Sequence, residues 1–184
     1  MKKIFTILLA AMVAVGSVYA ADNSKKAAKS GSAYKHSIGV VAGSGIGVQY
    51  KTMIMDNFTI IEEFGYLGSL CAAGANGMQF ATLGAVDNLV MAYQAKAAEG
   101  QGIRLDWFVG GQLKAGYINF GAAGGIIGIG AAGGIEAKMT NAPIAFSFDF
   151  RPGYGCMLGN NGGGGVGAFH VFDWTLNLGV RYTF

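Results

Sequence analysis

The stretch Gly128 to Gly134, GIGAAGG, contains the spacing G-x-G-x-x-G. Glycines so placed let backbone N–H groups approach a pyrophosphate, provided the run follows a strand, opens a helix and is answered by an acidic residue about 20 positions later. Glu136 comes too soon and the residues around it alternate as a strand does, so the motif implies no nucleotide site. The second glycine-rich run, LGNNGGGGVG from Leu158 to Gly167, reads as a loop and not as a phosphate cradle. A hydrolase or acyltransferase would need a nucleophile, a histidine and an orienting carboxylate at one rim. His170 and Asp173 lie close in sequence but fall on opposite parities of one alternating segment, so they point apart, and His36 belongs to the other end of the fold. Cys71 and Cys156 are the only cysteines; a disulfide between them is open in an oxidising compartment, and neither has a histidine or second thiol beside it. No catalytic residue, cofactor or metal is expected.

The remaining chemistry-bearing side chains are charges, and they recur at every second position. From Ala168 to Phe184 one parity reads Phe172, Trp174, Leu176, Leu178, Val180, Tyr182, Phe184, and the other carries Asp173, Thr175, Asn177, Gly179 and Arg181. A period of two means a strand with one apolar and one polar face. Ile144 to Tyr154 sets Ile144, Phe146, Phe148, Phe150 and Tyr154 against Ser147, Asp149 and Arg151. Ile103 to Tyr117 sets Leu105, Trp107, Val109 and Leu113 against Arg104, Asp106, Gln112 and Lys114. The opening glycine motif falls in the same rhythm, with Ile127, Ile129 and Ile135 on one face and Gly128, Gly130, Glu136 and Lys138 on the other. Ser37 to Ala42, Ile46 to Ile54 and Phe58 to Leu67 add three more strands. Met78 to Ala95 alternates poorly, its register is not fixed, and Asp87-Asn88 reads as a bulge or an extra turn.

Eight strands result. Their connections are Gly43–Gly45, Met55–Asn57, Gly68–Gly77, Lys96–Gln101, Asn119–Gly124, Thr140–Pro143 and Leu158–Gly167. Several strands exceed the ordinary length of about 5–6 residues and match the roughly 9–11 that a tilted strand needs to cross a bilayer. A single apolar helix over Ala115 to Ile135 is the competing reading, with Gly121/Gly125 and Gly130/Gly134 as helix contacts. Eight glycines in those 21 residues weigh against it.

An eight-stranded cylinder encloses little more than the width of its side chains. A lumen holding Phe146, Phe148, Trp107, Phe172, Trp174 and Tyr182 would be overfull, so the aromatic face must look outward, to lipid. The inward parity then gathers Lys51, Arg104, Lys114, Lys138, Arg151 and Arg181 with Glu63, Asp106, Glu136, Asp149 and Asp173. Six cations against five anions imply mutual pairing in a narrow interior and argue against a wide, ion-selective pore. Glu62 is the misfit, because strict alternation turns it to lipid: either a bulge shifts the register or the residue lies near the headgroups.

The chain of 184 residues opens MKKIFTILLAAMVAVGSVYA, a basic start, an apolar core and a V-Y-A site, which is the layout of a cleaved export signal. The expected organisation is a signal peptide over 1–20, a solvated and flexible periplasmic segment over 21–35 and a barrel over 36–184. With Lys2 and Lys3 removed, 11 of the 13 basic residues face 10 acidic ones, a balance that offers no field for nucleic acid.

The closing NLGVRYTF resembles the assembly signal of bacterial outer-membrane barrels, with Asn177, Gly179, Tyr182 and Phe184 at its polar, glycine and aromatic places. SIGVVAGSGIGVQYK and NAPIAFSFDFRPGY extend the likeness, and Ser37 to Phe184 resembles the small eight-stranded outer-membrane barrel proteins of Bacteroides-like Gram-negative bacteria. That resemblance implies an all-β, antiparallel up-and-down transmembrane barrel in the outer membrane. It also implies a monomer whose partners are outer-membrane lipids and, during biogenesis, periplasmic chaperones and the barrel-assembly machinery, with Tyr182 and Phe184 as recognition elements. The expected function is a non-enzymatic barrel serving envelope integrity or surface interaction, the alternatives being a narrow porin-like channel for small solutes and a lipid-modifying enzyme.

Overall fold

The computed structural model of the protein describes residues 34–43, 45–66, 71–74, 77–80, 83–119, 123–160 and 166–184. Eight long strands form the wall: β1 (His36–Gly43), β2 (Ile46–Met55), β3 (Phe58–Tyr66), β6 (Leu83–Gly100), β7 (Ile103–Asn119), β8 (Ala123–Met139), β9 (Ile144–Asn160) and β10 (Val166–Thr183). Each pairs antiparallel with the next, and β1 pairs with β10 from Ser37↔Thr183 to Gly43↔Asn177, so the sheet closes on itself. The fold is an all-β, up-and-down barrel.

Following one row of paired residues around the ring gives its geometry. The row runs Tyr182, Ile38, Tyr50, Glu62, Leu89, Leu113, Ile129, Tyr154 and returns to β10 at Phe172, ten residues from its start. With a rise of about 3.3 Å per residue and about 4.8 Å between strands, a stagger of ten over eight strands tilts each strand by about 40°. Such a cylinder is tight, and inward positions on neighbouring strands crowd one another. A Cβ added to Gly110 would run into the Met91 carbonyl oxygen and lie 2.5 Å from the Ala92 Cα. Gly134 lies opposite Phe108, whose Cζ would come within 2.8 Å of an added Cβ. The interior therefore does admit an aromatic ring, where a glycine faces it.

Both termini of the wall share an end with the turns at Asp56–Asn57, Gln101–Gly102 and Asn141–Pro143, here termed the turn end. Gln101 and Gly102 have positive φ, 45° and 85°, the conformation that a two-residue hairpin demands. The opposite, loop end is taller on one flank. Strands β6–β10 are 17 or 18 residues long, whereas β1–β3 have 8 to 10. Above β1, a hairpin of β4 (Cys71–Gly74) and β5 (Gly77–Phe80) continues the wall, Cys71–Ala73 pairing with Trp174–Phe172. This hairpin lies across the end of the expected connection Gly68–Gly77 and takes residues 78–80 from the expected strand, which as β6 begins only at Leu83.

The structure also fixes the register that Met78 to Ala95 withholds. Val90, Ala92 and Gln94 are buried inward while Met91 and Tyr93 are exposed; with apolar residues on both faces, no period of two is visible. Asp87 and Asn88 pair regularly with Phe64 and Glu63, so neither a bulge nor a turn occurs there. The irregularity lies between Lys96 and Ala98, and β6 runs on through the expected connection to Gly100. Residues 123–139 form β8, which removes the single helix over Ala115 to Ile135.

Candidate functional site

Strand alternation aims one parity of all eight wall strands at the axis, and the fully buried side chains of the molecule include Arg151, Arg181, Lys51, Gln49, Glu136, Asp106 and Asp149. The opposite parity is exposed and apolar, with Ile129 and Leu178 each 64% accessible. Charged groups inside and aliphatic groups outside invert the soluble pattern.

Glu136, on β8, is the hub of the turn-end half. Its carboxylate accepts from Lys51 Nζ on β2 at 2.8 Å, from Arg181 Nη2 on β10 and from Gln94 Nε2 on β6 at 3.3 Å. Tyr34 Oη, from the residues just before β1, donates to the same carboxylate at 2.6 Å. Gln94 also donates to Asp106 at 3.0 Å, and Asp106 pairs with Arg104 Nε at 2.8 Å. Toward the loop end Arg181 Nη1 donates to Gln49, and Gln49 in turn donates to Glu63 at 3.0 Å. Arg151 then bridges Glu63 (2.9 Å) and Asp149 (2.6 Å), and Asn177 donates to Asp149 at 2.9 Å. Lys114 and Asp173 form a separate pair, reaching from β7 to β10 over the glycines of β8 and β9.

All eleven charged residues of the inward parity are thus buried, and ten of them lie in ion pairs. Lys138 differs: its ammonium sits 4.2 Å from the centre of the Tyr34 ring, with no carboxylate in ion-pair contact among the described residues. Inside the same cylinder Ile61, Val90, Ala92, Phe108 and Ala132 form a small apolar cluster. Sequence reasoning left out Tyr34, Gln49, Gln94 and Phe108. Parity carries the signal for Gln49 and Phe108, whereas Gln94 lies on the strand whose period is not visible and Tyr34 precedes the first strand and has no parity to read.

Of the terminal pattern, Asn177 and Gly179 face inward, and Tyr182 and Phe184 lie outward with rings 6.2 Å apart. His170 is exposed on the outer face and stacks on Tyr154 at 5.6 Å, while Asp173 is buried inside, so the wall separates them. His36 is at the turn end, stacked between Tyr50 and Phe184. Cys156 is a free thiol. It pairs with His170 on one edge of β10, and Cys71 pairs with Trp174 on the other; a disulfide needs Cα atoms within about 7 Å, and β10 lies between them. Glu62 keeps regular register opposite Tyr50 and Leu89, so no bulge turns it inward. Asp87 joins it on the outer face. The glycines of the G-x-G-x-x-G run lie within β8, open no helix and form no phosphate cradle.

The chain matches no family profile and no curated protein. Among solved structures it is similar to a major outer membrane protein of Thermus thermophilus, at 13% identity and a TM-score of 0.48, over 83% of this chain and 100% of that one. It is also similar to Neisserial surface protein A, at 11% identity and a TM-score of 0.41, over 81% of this chain and 93% of the other.

Proposed function

We propose that the protein is a non-enzymatic, monomeric integral barrel of the Gram-negative outer membrane, with a polar and filled interior, and that it serves envelope integrity or surface contact. The inversion of its two faces carries this reading. Water would not tolerate Ile38, Val40, Val48, Trp107, Val109, Ile127, Phe148 and Leu178 exposed together on one closed surface, since contiguous apolar area of that extent marks an interface. Acyl chains would. A ring without edges leaves no backbone group to be satisfied by lipid. Aromatic rings meet along the outer surface, Phe58, Tyr93 and Trp107 near the turn end, Phe150 and Trp174 about midway, and Tyr154 and His170 nearer the loops; those toward the two ends sit as membrane girdles do. The export layout of residues 1–20 supports a periplasmic route, and the Asn177, Gly179, Tyr182, Phe184 pattern supports delivery by chaperones and insertion by the assembly machinery.

A linked ionic network across the lumen supports a sealed barrel over a channel, because each carboxylate and guanidinium is already committed to protein partners. Planar-bilayer recording of the full-length barrel tests this. Silence is expected; reproducible single-channel steps from the unaltered protein would favour the channel reading instead.

A further inference from the structure

We propose that Tyr34 is a stopper, held from outside the strands, that closes the turn-end mouth of the barrel interior to water and small ions. The proposal deepens the sealed-interior reading and rests on it. Tyr34 belongs to no strand, yet it is 8% exposed and lies against inward-facing side chains of two different strands. The backbone just after it is pinned. Lys35 carbonyl accepts from Met53 N–H at 2.9 Å, and His36 and Phe184 exchange two backbone hydrogen bonds of 2.9 and 2.8 Å. Residues 35 and 36 are thus fixed to the rim, and the buried Tyr34 before them reaches the inward-facing Glu136.

What the ring meets there explains why it is a tyrosine. Its hydroxyl supplies a donor to Glu136 at 2.6 Å. Its face receives the Lys138 ammonium at 4.2 Å and stands 5.7 Å from that of Lys51. A cation over an aromatic face is attracted by the ring's quadrupole, the more so as water is excluded, and here it is the contact that Lys138 has in place of an ion-paired carboxylate. Glu136 and Lys51 behind the ring are 0% accessible and Arg181 is 2% accessible. Removing the phenol strips Lys138 of its partner and Glu136 of a donor at once. Buried charges left in that state draw water in, because an ion with neither partner nor solvent is strongly disfavoured. Solvent access to the lower interior is therefore set by whether one ring, carried on the segment before β1, is seated.

A thiol placed behind the ring reads this directly. Ser147 pairs with Glu136 across β8 and β9 and is 4% exposed, so Ser147→Cys in a Cys71→Ser, Cys156→Ser full-length barrel reports water at the network. With Tyr34 intact, a small charged methanethiosulfonate should modify it slowly. Tyr34→Ala should speed modification by about tenfold or more, as expected when a local opening becomes the resting state, while Tyr34→Phe, which keeps the ring, should stay near the parent rate. Heat-shifted gel mobility verifies that each variant is folded. Equal rates in all three proteins, or a Phe variant as fast as the Ala variant, would overturn the stopper. If Tyr34→Ala does not fold, nitration of Tyr34 in the parent protein decides: it should resist tetranitromethane until the barrel is unfolded, and modification at the unfolded-chain rate sinks the proposal. Conductance of the unaltered protein bears on the sealed-barrel reading, and thiol access behind residue 34 bears on this one, so the two fail separately.

Discussion

At the scale of the residue, Glu136 is the position on which most others depend. One carboxylate accepts from Lys51, Arg181, Gln94 and Tyr34, contributed by three strands and the segment ahead of them. Glu136→Gln keeps the shape but leaves two buried cations without their anion. Breaking a buried pair from one side costs about 3–5 kcal/mol, so urea unfolding in lipid vesicles should show a loss of at least that order. Lys138→Met should cost far less, on the order of 1 kcal/mol, because it removes a cation–ring contact and orphans no ion. If the two variants unfold at the same urea concentration, the hub is misassigned. The partners themselves could not be read from the chain. Lys51 and Glu136 are 85 positions apart and Arg181 and Gln49 are 132 apart; alternation says which side chains face the axis, but the stagger of the ring decides which of them meet.

At the scale of the element, legibility followed contrast between faces. β7, β9 and β10 alternate aromatic with ionic or small residues; the pattern places β7 and β10 to within two residues of their bounds, whereas β9 runs on past Tyr154 to Asn160, into the expected connection. β6 sets Val90 and Ala92 inward against Met91 and Tyr93 outward, so one strand carries grease on both sides and the period vanishes. Its unreadable register hid Asp87, which stands on the outer face one step diagonally from Glu62. Two outward carboxylates on neighbouring strands are a cost that the fold tolerates. A basic residue on the lipid face near the midplane costs about 2–4 kcal/mol and an acidic one less, so Glu62→Leu should raise stability by about 1 kcal/mol, seen as a higher urea midpoint in vesicles. An unchanged or lower midpoint would show that Glu62 has a favourable partner in the membrane.

At the scale of the whole molecule, the two ends of the cylinder differ: three short turns and both ends of the wall at one, the taller flank and the β4–β5 hairpin at the other. On the proposed outer-membrane reading, tight turns lie on the periplasmic side. An epitope inserted in the connection 161–165 should be stained on intact cells, whereas one at Gln101–Gly102 should appear only after the outer membrane is permeabilised; the reverse pattern would invert the orientation. The seam between β1 and β10 has a further consequence, in time. Ser37 pairs with Thr183 and Ile38 with Tyr182, so the contacts that complete the ring join almost the first residue of the wall to almost the last. Contacts of such wide separation form slowly, and until the final few residues emerge from synthesis every partial chain carries two raw strand margins. The half-made molecule is the hazardous one, and a truncation of only a handful of C-terminal residues should yield aggregate in place of a slightly shorter barrel.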